Sequence, residues 1–306
     1  MFLQLSKPEK ISPNYLDKVM NCPACSNEQY CLFGSKNCFD HRKCLCCGTI
    51  FTRTEIKTNT LEDLYDHYYD QARFELSSVV AHSLERQVLS FVPFRSSGKI
   101  LDIGFGEGGL LQIAEGQNWQ CYGTEISPRS LEYGAQQGWV VSDNANNDVR
   151  FMPQSFDVVT MIELLEHVPN PQEIIQAAAH WLRPGGLLYL TTPNARSLNQ
   201  RLLGLDWSVF SPPEHLVIWS PKGIQHALHS AGFQSLRIRT EGLNPYEILA
   251  RIRPPKEAVN RNQTGAALNQ TFTATPSRRV LKTWINHLLS VLQLGDGLKV
   301  YATRSH

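Results

Sequence analysis

Apolar positions along this chain change their period more than once, and each change marks a different kind of element. Between Leu61 and Leu89 they recur every three or four residues, through Leu64, Tyr65, Tyr68, Val79, Leu84 and Val88, which predicts helix. Pro93 and the Ser96-Ser97-Gly98 turn end that stretch. From Lys99 short apolar runs alternate with amphipathic ones. KILDIGF predicts a buried strand and GLLQIAEGQ the helix after it; QCYGTEIS and PRSLEYGAQQG repeat the pair. WVVS and FDVVTMI predict a third and a fourth strand, and LLEHV a helical turn. Asn170 as cap and Pro171 as first helical residue open a helix through Ile174, Ile175, Ala178 and Trp181. It stops at Arg183-Pro184-Gly185-Gly186, before the strand LLYLTT. PKGIQHALHSAG predicts a helix, and FQSLRIRTEG and GLKVYATR two closing strands. Strands and helices alternating at this spacing predict an α/β fold with a doubly wound, mainly parallel sheet.

The first strand runs into LDIGFGEGG. Glycines 104, 106 and 108 allow a tight turn that brings bare N–H groups close to a ligand. Glu125 ends the second strand, about 20 residues on, where a carboxylate accepts hydrogen bonds from both ribose hydroxyls of a nucleoside. Gly104, Gly106 and Gly109 also satisfy GxGxxG, so a nicotinamide-dependent dehydrogenase is a rival reading. Asp102 argues against it, because a carboxylate there suits a ligand bearing an amino group and poorly suits a pyrophosphate.

Asp102-x-Gly104-x-Gly106-x-Gly108, Glu125, FDVVTMIELLEHV at 156–168 and LRPGGLLYLTTPN at 182–194 together resemble class I S-adenosylmethionine-dependent methyltransferases, in particular the ubiquinone-biosynthesis subgroup. The resemblance covers about residues 96–243 and the final strand. It implies a Rossmann-like seven-stranded sheet with helices on both faces. It implies that Asp102, Gly104, Phe105 and Gly106 border the methionine part of the cofactor, that Glu125 holds the ribose and that Ile126 packs on the adenine. Asp143 or Asn144 would face the adenine edge, in a loop (SDNANND) that departs from the usual pattern. Met161, Ile162 and Glu163 would line the site. Glu166 and His167 read as an acid–base pair or as a brace for the loop, and the brace is the favoured reading.

Seven of the eight cysteines fall between Cys22 and Cys47. Cys22-Pro-Ala-Cys25, an 18-residue gap and Cys44-Leu-Cys46-Cys47 have the spacing of a tetrahedral four-cysteine zinc site, and Gly48 suits the turn after the second pair. Four cysteines leave no open coordination position, so the zinc is expected to be structural. Cys31, Cys38 and Cys46 are left over; Cys46 as a substitute ligand, His41 as a fourth ligand and redox sensing by the spare thiols are alternatives to the favoured reading, buried or incidental cysteine. The expected domains are a zinc ribbon at 19–54, a helical connector at 55–95 and the methyltransferase domain at 96–306, with insertions at about 195–220 and 245–295.

Acceptor chemistry is sought in three places. The loop ARSLNQRLLGLDWSVFSPPEHLVIWS follows the fifth strand and overhangs the strand ends where ligands bind in this fold. Its Glu214-His215 pair offers a near-neutral base, or a cap that braces the loop. A ribbon ahead of such a pair resembles the sugar C-methyltransferases, which use a tyrosine between ribbon and core; Tyr65, Tyr68 and Tyr69 are the candidates, with Tyr68 taken. This chain lacks their long C-terminal domain. Candidate catalytic residues are therefore His215, Glu214 and Tyr68. Between residues 251 and 290, Arg251, Arg253, Lys256, Arg261, Arg278, Arg279 and Lys282 face the single acid Glu257, which reads as a solvated insertion. VLKTWINHLLSVLQL reads as a helix packed on the core.

The 306 residues are 42% hydrophobic with a net charge of +1, enough for a sizeable core and too neutral for global attraction to nucleic acid. MFLQLSKPEK is too short an apolar run for a signal peptide, and a cytoplasmic location is expected. The expected function is methyl transfer from S-adenosylmethionine to a small molecule, a sugar or sugar-linked metabolite, on oxygen or carbon. The alternatives are an RNA methyltransferase docking through the ribbon, and a non-catalytic cofactor-binding protein.

Overall fold

The computed structural model describes residues 21–52, 76–145, 148–252 and 276–305. Tyr65, Tyr68 and Tyr69 lie outside these residues, as does the middle of the 245–295 insertion.

Seven strands form the main sheet: β4 (Lys99–Ile103), β5 (Gln120–Thr124), β6 (Val140–Ser142), β7 (Phe156–Ile162), β8 (Leu182–Pro193), β10 (Phe233–Glu241) and β11 (Gly297–Arg304), in the order β10-β11-β8-β7-β4-β5-β6. β11 is antiparallel to both of its neighbours and the other six strands all run in one direction. Strands buried on both faces read as near-continuous apolar runs, and FDVVTMI is the clearest case. Helices Gly109–Gly116, Pro128–Gln136, Pro171–Trp181 and Pro221–Ser230 cover the sheet.

Two local expectations are corrected. Asn170 makes no side-chain cap bond; Pro171 at the first position opens the helix without it. Arg183-Pro184-Gly185-Gly186 is not a turn before the strand but part of it, since β8 already pairs at Leu182 with Phe156 and slips register before Leu187. Arg183 explains the irregularity. Its Nε donates to Asp157 Oδ1 at 2.6 Å and its Nη2 to the carbonyl of Phe94 at 2.6 Å. Asp157, fully buried, also accepts from the amides of Ser96 and Gly98.

The ribbon consists of β1 (Tyr30–Lys36), β2 (Phe39–Cys44) and β3 (Ile50–Thr52), all antiparallel. A fourth strand, β9 (Val217–Ile218), comes from the 195–220 insertion and pairs with β3. The two regions that the sequence separates thus share one sheet. They also share a core, in which Cys22, Ala24, Cys44, Cys47 and Phe51 pack with Trp219, Ile224 and Ala227.

Among the described side chains of the helix Pro276–Leu292, Leu289 is buried, while Trp284, Leu288 and Val291 are exposed. Among the described residues no helix is long and apolar enough to cross a membrane.

Candidate functional site

The glycine loop joins β4 to the helix at Gly109. Gly104 has φ +71°, and a Cβ there would lie 2.8 Å from Leu164 Cδ1, so the residue is required both by conformation and by the close approach of the segment after β7. Glu125, buried at the end of β5, accepts from Gly106 N at 2.9 Å and from Ile126 N at 2.7 Å. It therefore sets the loop's shape before any ligand arrives. Asp102 is buried beside it and accepts from Thr160 Oγ1 at 2.5 Å, across the β4–β7 register. Burial pushes its carboxyl up to about 7 against the pull of the Thr160 hydrogen bond, and the Glu125 charge adds to the rise.

The cofactor-lining set divides. Ile126 is 55% exposed beside Glu125, Asp143 and Asn144 are exposed after β6, and Glu163 is exposed with φ +49° at the end of β7. Ile162 is half-buried. Two assignments are corrected at the side-chain level. Met161 is 0% exposed within the core, leaving no surface for a ligand. Phe105 turns its ring inward, edge-on to Trp139 and against the bare face of Gly123, so only its backbone lies on the loop. Met161 lies on a strand buried on both faces, and Phe105 fills the space above Gly123 and Gly134.

Beyond β7 the chain forms a second cluster. Glu166 is fully buried; its Oε2 accepts from Thr192 Oγ1 at 2.9 Å, and its carbonyl accepts from the amides of Leu216 and Val217. This is the expected brace. Burial drives its carboxyl well above the ordinary range, and the charge of Glu163 reinforces that. His167 Nδ1 lies 2.9 Å from the carbonyl of Glu214, and His215 Nδ1 2.7 Å from the carbonyl of Val209. The two imidazoles meet edge to face at 4.6 Å. Burial holds His167 below its usual pKa. The Glu214 carboxylate accepts from Ser211 Oγ at 3.0 Å, anchoring the loop it belongs to. No local pattern reveals that His215 meets Glu166-His167, because 47 residues separate His167 from the carbonyl it bonds.

At the ribbon, Cys22 Sγ and Cys47 Sγ are 3.6 Å apart, as are Cys25 Sγ and Cys44 Sγ, and all four sulfurs lie within 4.8 Å of one another. A tetrahedron with bonds of about 2.3 Å places its sulfurs about 3.8 Å apart, so the set could hold one zinc ion. Each knuckle closes identically: Ser26 N donates to Cys22 O, and Gly48 N to Cys44 O. Ser26 and Gly48 occupy the left-handed region that this turn demands, at φ +57° and +83°. His41 is no ligand; its Nδ1 bonds Thr52 Oγ1, and burial holds it down at about 4. Cys31 and Cys38 are exposed rather than buried.

The family described as a methyltransferase domain matches residues 69–238. The ubiquinone biosynthesis O-methyltransferase of Idiomarina loihiensis is 34% identical over 157 residues, covering 46% of this chain and 60% of that protein. The protein of the same name from Yersinia pestis is 30% identical over 158 residues, 48% of this chain and 62% of that protein. The chain thus spans about three fifths of the length of these relatives. In the solved complex of the Haloferax volcanii Trm112 methyltransferase activator with a methyltransferase, one chain superposes with a TM-score of 0.51 at 14% identity, covering 80% of this chain and 98% of that one.

Proposed function

Since the chain belongs to the class I S-adenosylmethionine-dependent methyltransferase family, we propose that it transfers a methyl group to a hydroxyl oxygen of a small molecule. The observation that carries the cofactor assignment is Asp102, a buried carboxylate beside a left-handed glycine loop that Glu125 ties down. A carboxylate with so little solvent around it suits an ammonium group, and Glu125 lies where it can also reach ribose hydroxyls. The exposed side chain of Ile126 supplies the apolar surface for an adenine. When bound, S-adenosylmethionine supplies a methyl group already activated on a sulfonium. The protein's task is to align the acceptor and withdraw its proton.

We assign acceptor activation to His215. A carbonyl only accepts, so Nδ1 of its ring carries the hydrogen and the lone pair sits on Nε2. The relatives are named for O-methylation, which favours oxygen over carbon. A ribbon combined with a Glu214-His215 loop favours a sugar or sugar-linked metabolite as acceptor. The four ribbon cysteines hold one structural zinc ion. Asp102→Ala and Glu125→Ala should each abolish S-adenosylmethionine binding by calorimetry with the fold intact; unchanged affinity would overturn the cofactor assignment. Mass spectrometry of a metabolite extract incubated with methyl-labelled cofactor identifies the acceptor.

A further inference from the structure

The side chain that the proposed chemistry needs most, His215, is held from two directions. The methyltransferase fold fixes the backbone beside it, since the carbonyl of Glu166 accepts from the next two amides, Leu216 and Val217. Its ring is fixed separately, by the contact of Nδ1 with the carbonyl of Val209 at 2.7 Å. An imidazole takes the tautomer that its hydrogen bond selects, so His215 presents a lone pair at Nε2 only while that carbonyl stays in place. Whatever holds Val209 is then part of the acceptor site.

The holding residues belong to the ribbon. Phe210, next after Val209, is fully buried. Phe33 of β1 stacks on its ring at 5.7 Å, and His41 of β2 meets it edge to face at 5.2 Å. Upstream in the same loop, Lys36 Nζ donates to the carbonyl of Leu205 at 2.7 Å, and a Cβ on Gly34 would fall 2.7 Å from Leu205 Cδ1. On the far side of His215, Thr52 N donates to the carbonyl of Leu216 at 2.8 Å. His41 ties these holds together: its Nδ1 lies 2.9 Å from Thr52 Oγ1, so one buried ring links β2, the end of β3 and Phe210. Its Nε2 is buried with no hydrogen-bond partner among the described residues. A buried polar atom left unsatisfied destabilises a fold, and an apolar side chain of similar size would avoid that cost. What the imidazole contributes is therefore placement, through its bond to Thr52 and its edge on Phe210.

We infer that His41 and Phe33 are positioning residues for His215: by clamping Phe210 they keep the Val209 carbonyl on Nδ1, and so the ribbon sets the tautomer of the acceptor base. This rests on the reading of His215 as that base, and it gives the ribbon a part in the chemistry. Both residues lie on strands between Cys25 and Cys44, so the proposed zinc would act on the acceptor site through them.

The test uses full-length protein purified with zinc and labelled with 15N-histidine. Nuclear magnetic resonance at pH 8 correlates ring nitrogens with ring protons, the His215 signals being assigned from their loss in His215→Gln. In the wild type, His215 and His167 should both carry the proton on Nδ1. In His41→Ala and in Phe33→Ala, most of the His215 population should pass to the Nε2-protonated form that imidazole prefers in water. His167, whose Nδ1 rests on the Glu214 carbonyl, should keep its tautomer. S-adenosylmethionine affinity should match the wild type, and transfer of labelled methyl to a metabolite extract should fall at least about tenfold. A loosened fold would move His167 as well, so the two histidines separate positioning from general damage. An unmoved His215 in the folded variants, His167 moving with it, or a wild-type His215 protonated on Nε2 would overturn the inference. Should His41→Ala not fold, Phe33→Ala and the wild-type tautomer decide. Failure of the underlying reading is distinct: a moved tautomer with undiminished methyl transfer would remove His215 as the base.

Discussion

At the scale of single residues the most consequential group is Asp102. With its carboxyl raised to about 7 by burial, it carries a proton over much of the range from pH 4 to 7 in which the same group in the unfolded chain has lost one. Folding stability therefore falls as pH rises through that window, by an upper bound of about 4 kcal/mol. Asp102→Asn should flatten this slope in urea titrations run at pH 5 and pH 8. The proposed ammonium partner needs the charged form, so cofactor binding should expel this proton. Calorimetry at pH 6 in buffers of different ionisation heat should detect release approaching one proton per complex. Near pH 8.5 release should vanish. Equal uptake or release at both pH values in the wild type would contradict an ammonium contact.

Among elements, β8 carries the clearest energetic prediction. Burial alone would raise Asp157, but hydrogen bonds from Arg183, Ser96 and Gly98 outweigh it and hold the carboxyl below its ordinary value. The stability this supplies is present above the ordinary carboxylate range and is lost as pH falls through the lowered native value. Arg183→Ala leaves a buried carboxylate short of its partner and should cost about 3 kcal/mol at pH 7. It should also move acid unfolding to higher pH; a shift below 0.5 kcal/mol, roughly the error of the method, would mean that Ser96 and Gly98 suffice. The elements of the main sheet were legible in the sequence because its central strands are apolar on both faces and the helices are amphipathic, so period alone separates them. The LRPGG segment reads as a turn, since nothing local reveals that Arg183 reaches back to Asp157 and Phe94. At the site, spacing marks Asp102, Glu125 and the four ribbon cysteines as candidates, and the fold brings the two acids together and the four sulfurs together. Phe105 and Met161 were misplaced because sequence names the loop and the strand but not which way a side chain turns. The meeting of Glu166-His167 with His215 depends on the return of a distant loop, and no local pattern encodes that.

On the scale of the whole molecule the ribbon and the methyltransferase fold behave as one body. Cys22, Cys44 and Cys47 are buried in the same core as Trp219 and Ile224, Ser220 Oγ donates to the carbonyl of Cys47 at 2.7 Å, and Lys222 Nζ donates to that of Cys46. Binding of the proposed zinc would then be folding energy for more than the ribbon. Scanning calorimetry should show a single transition, and a strong chelator should lower it as a unit by roughly 10 °C or more. A separate low-temperature transition for the ribbon, with the main one unmoved, would show two independent bodies.

The two-residue strand β9 has a consequence for the order in which the protein is made. Synthesis delivers β1, β2, β3 and all four cysteines first, yet Val217 and Ile218, which close the open edge at Ile50 and Phe51, arrive some 165 residues later. At ribosomal rates of about 5–20 residues per second, that edge waits for roughly ten to thirty seconds. Throughout that time the nascent ribbon exposes an unpaired apolar strand. Early capture of the proposed zinc would therefore give the chain a folded start but not a protected one, and a fragment ending near residue 60 would keep the same sticky edge permanently.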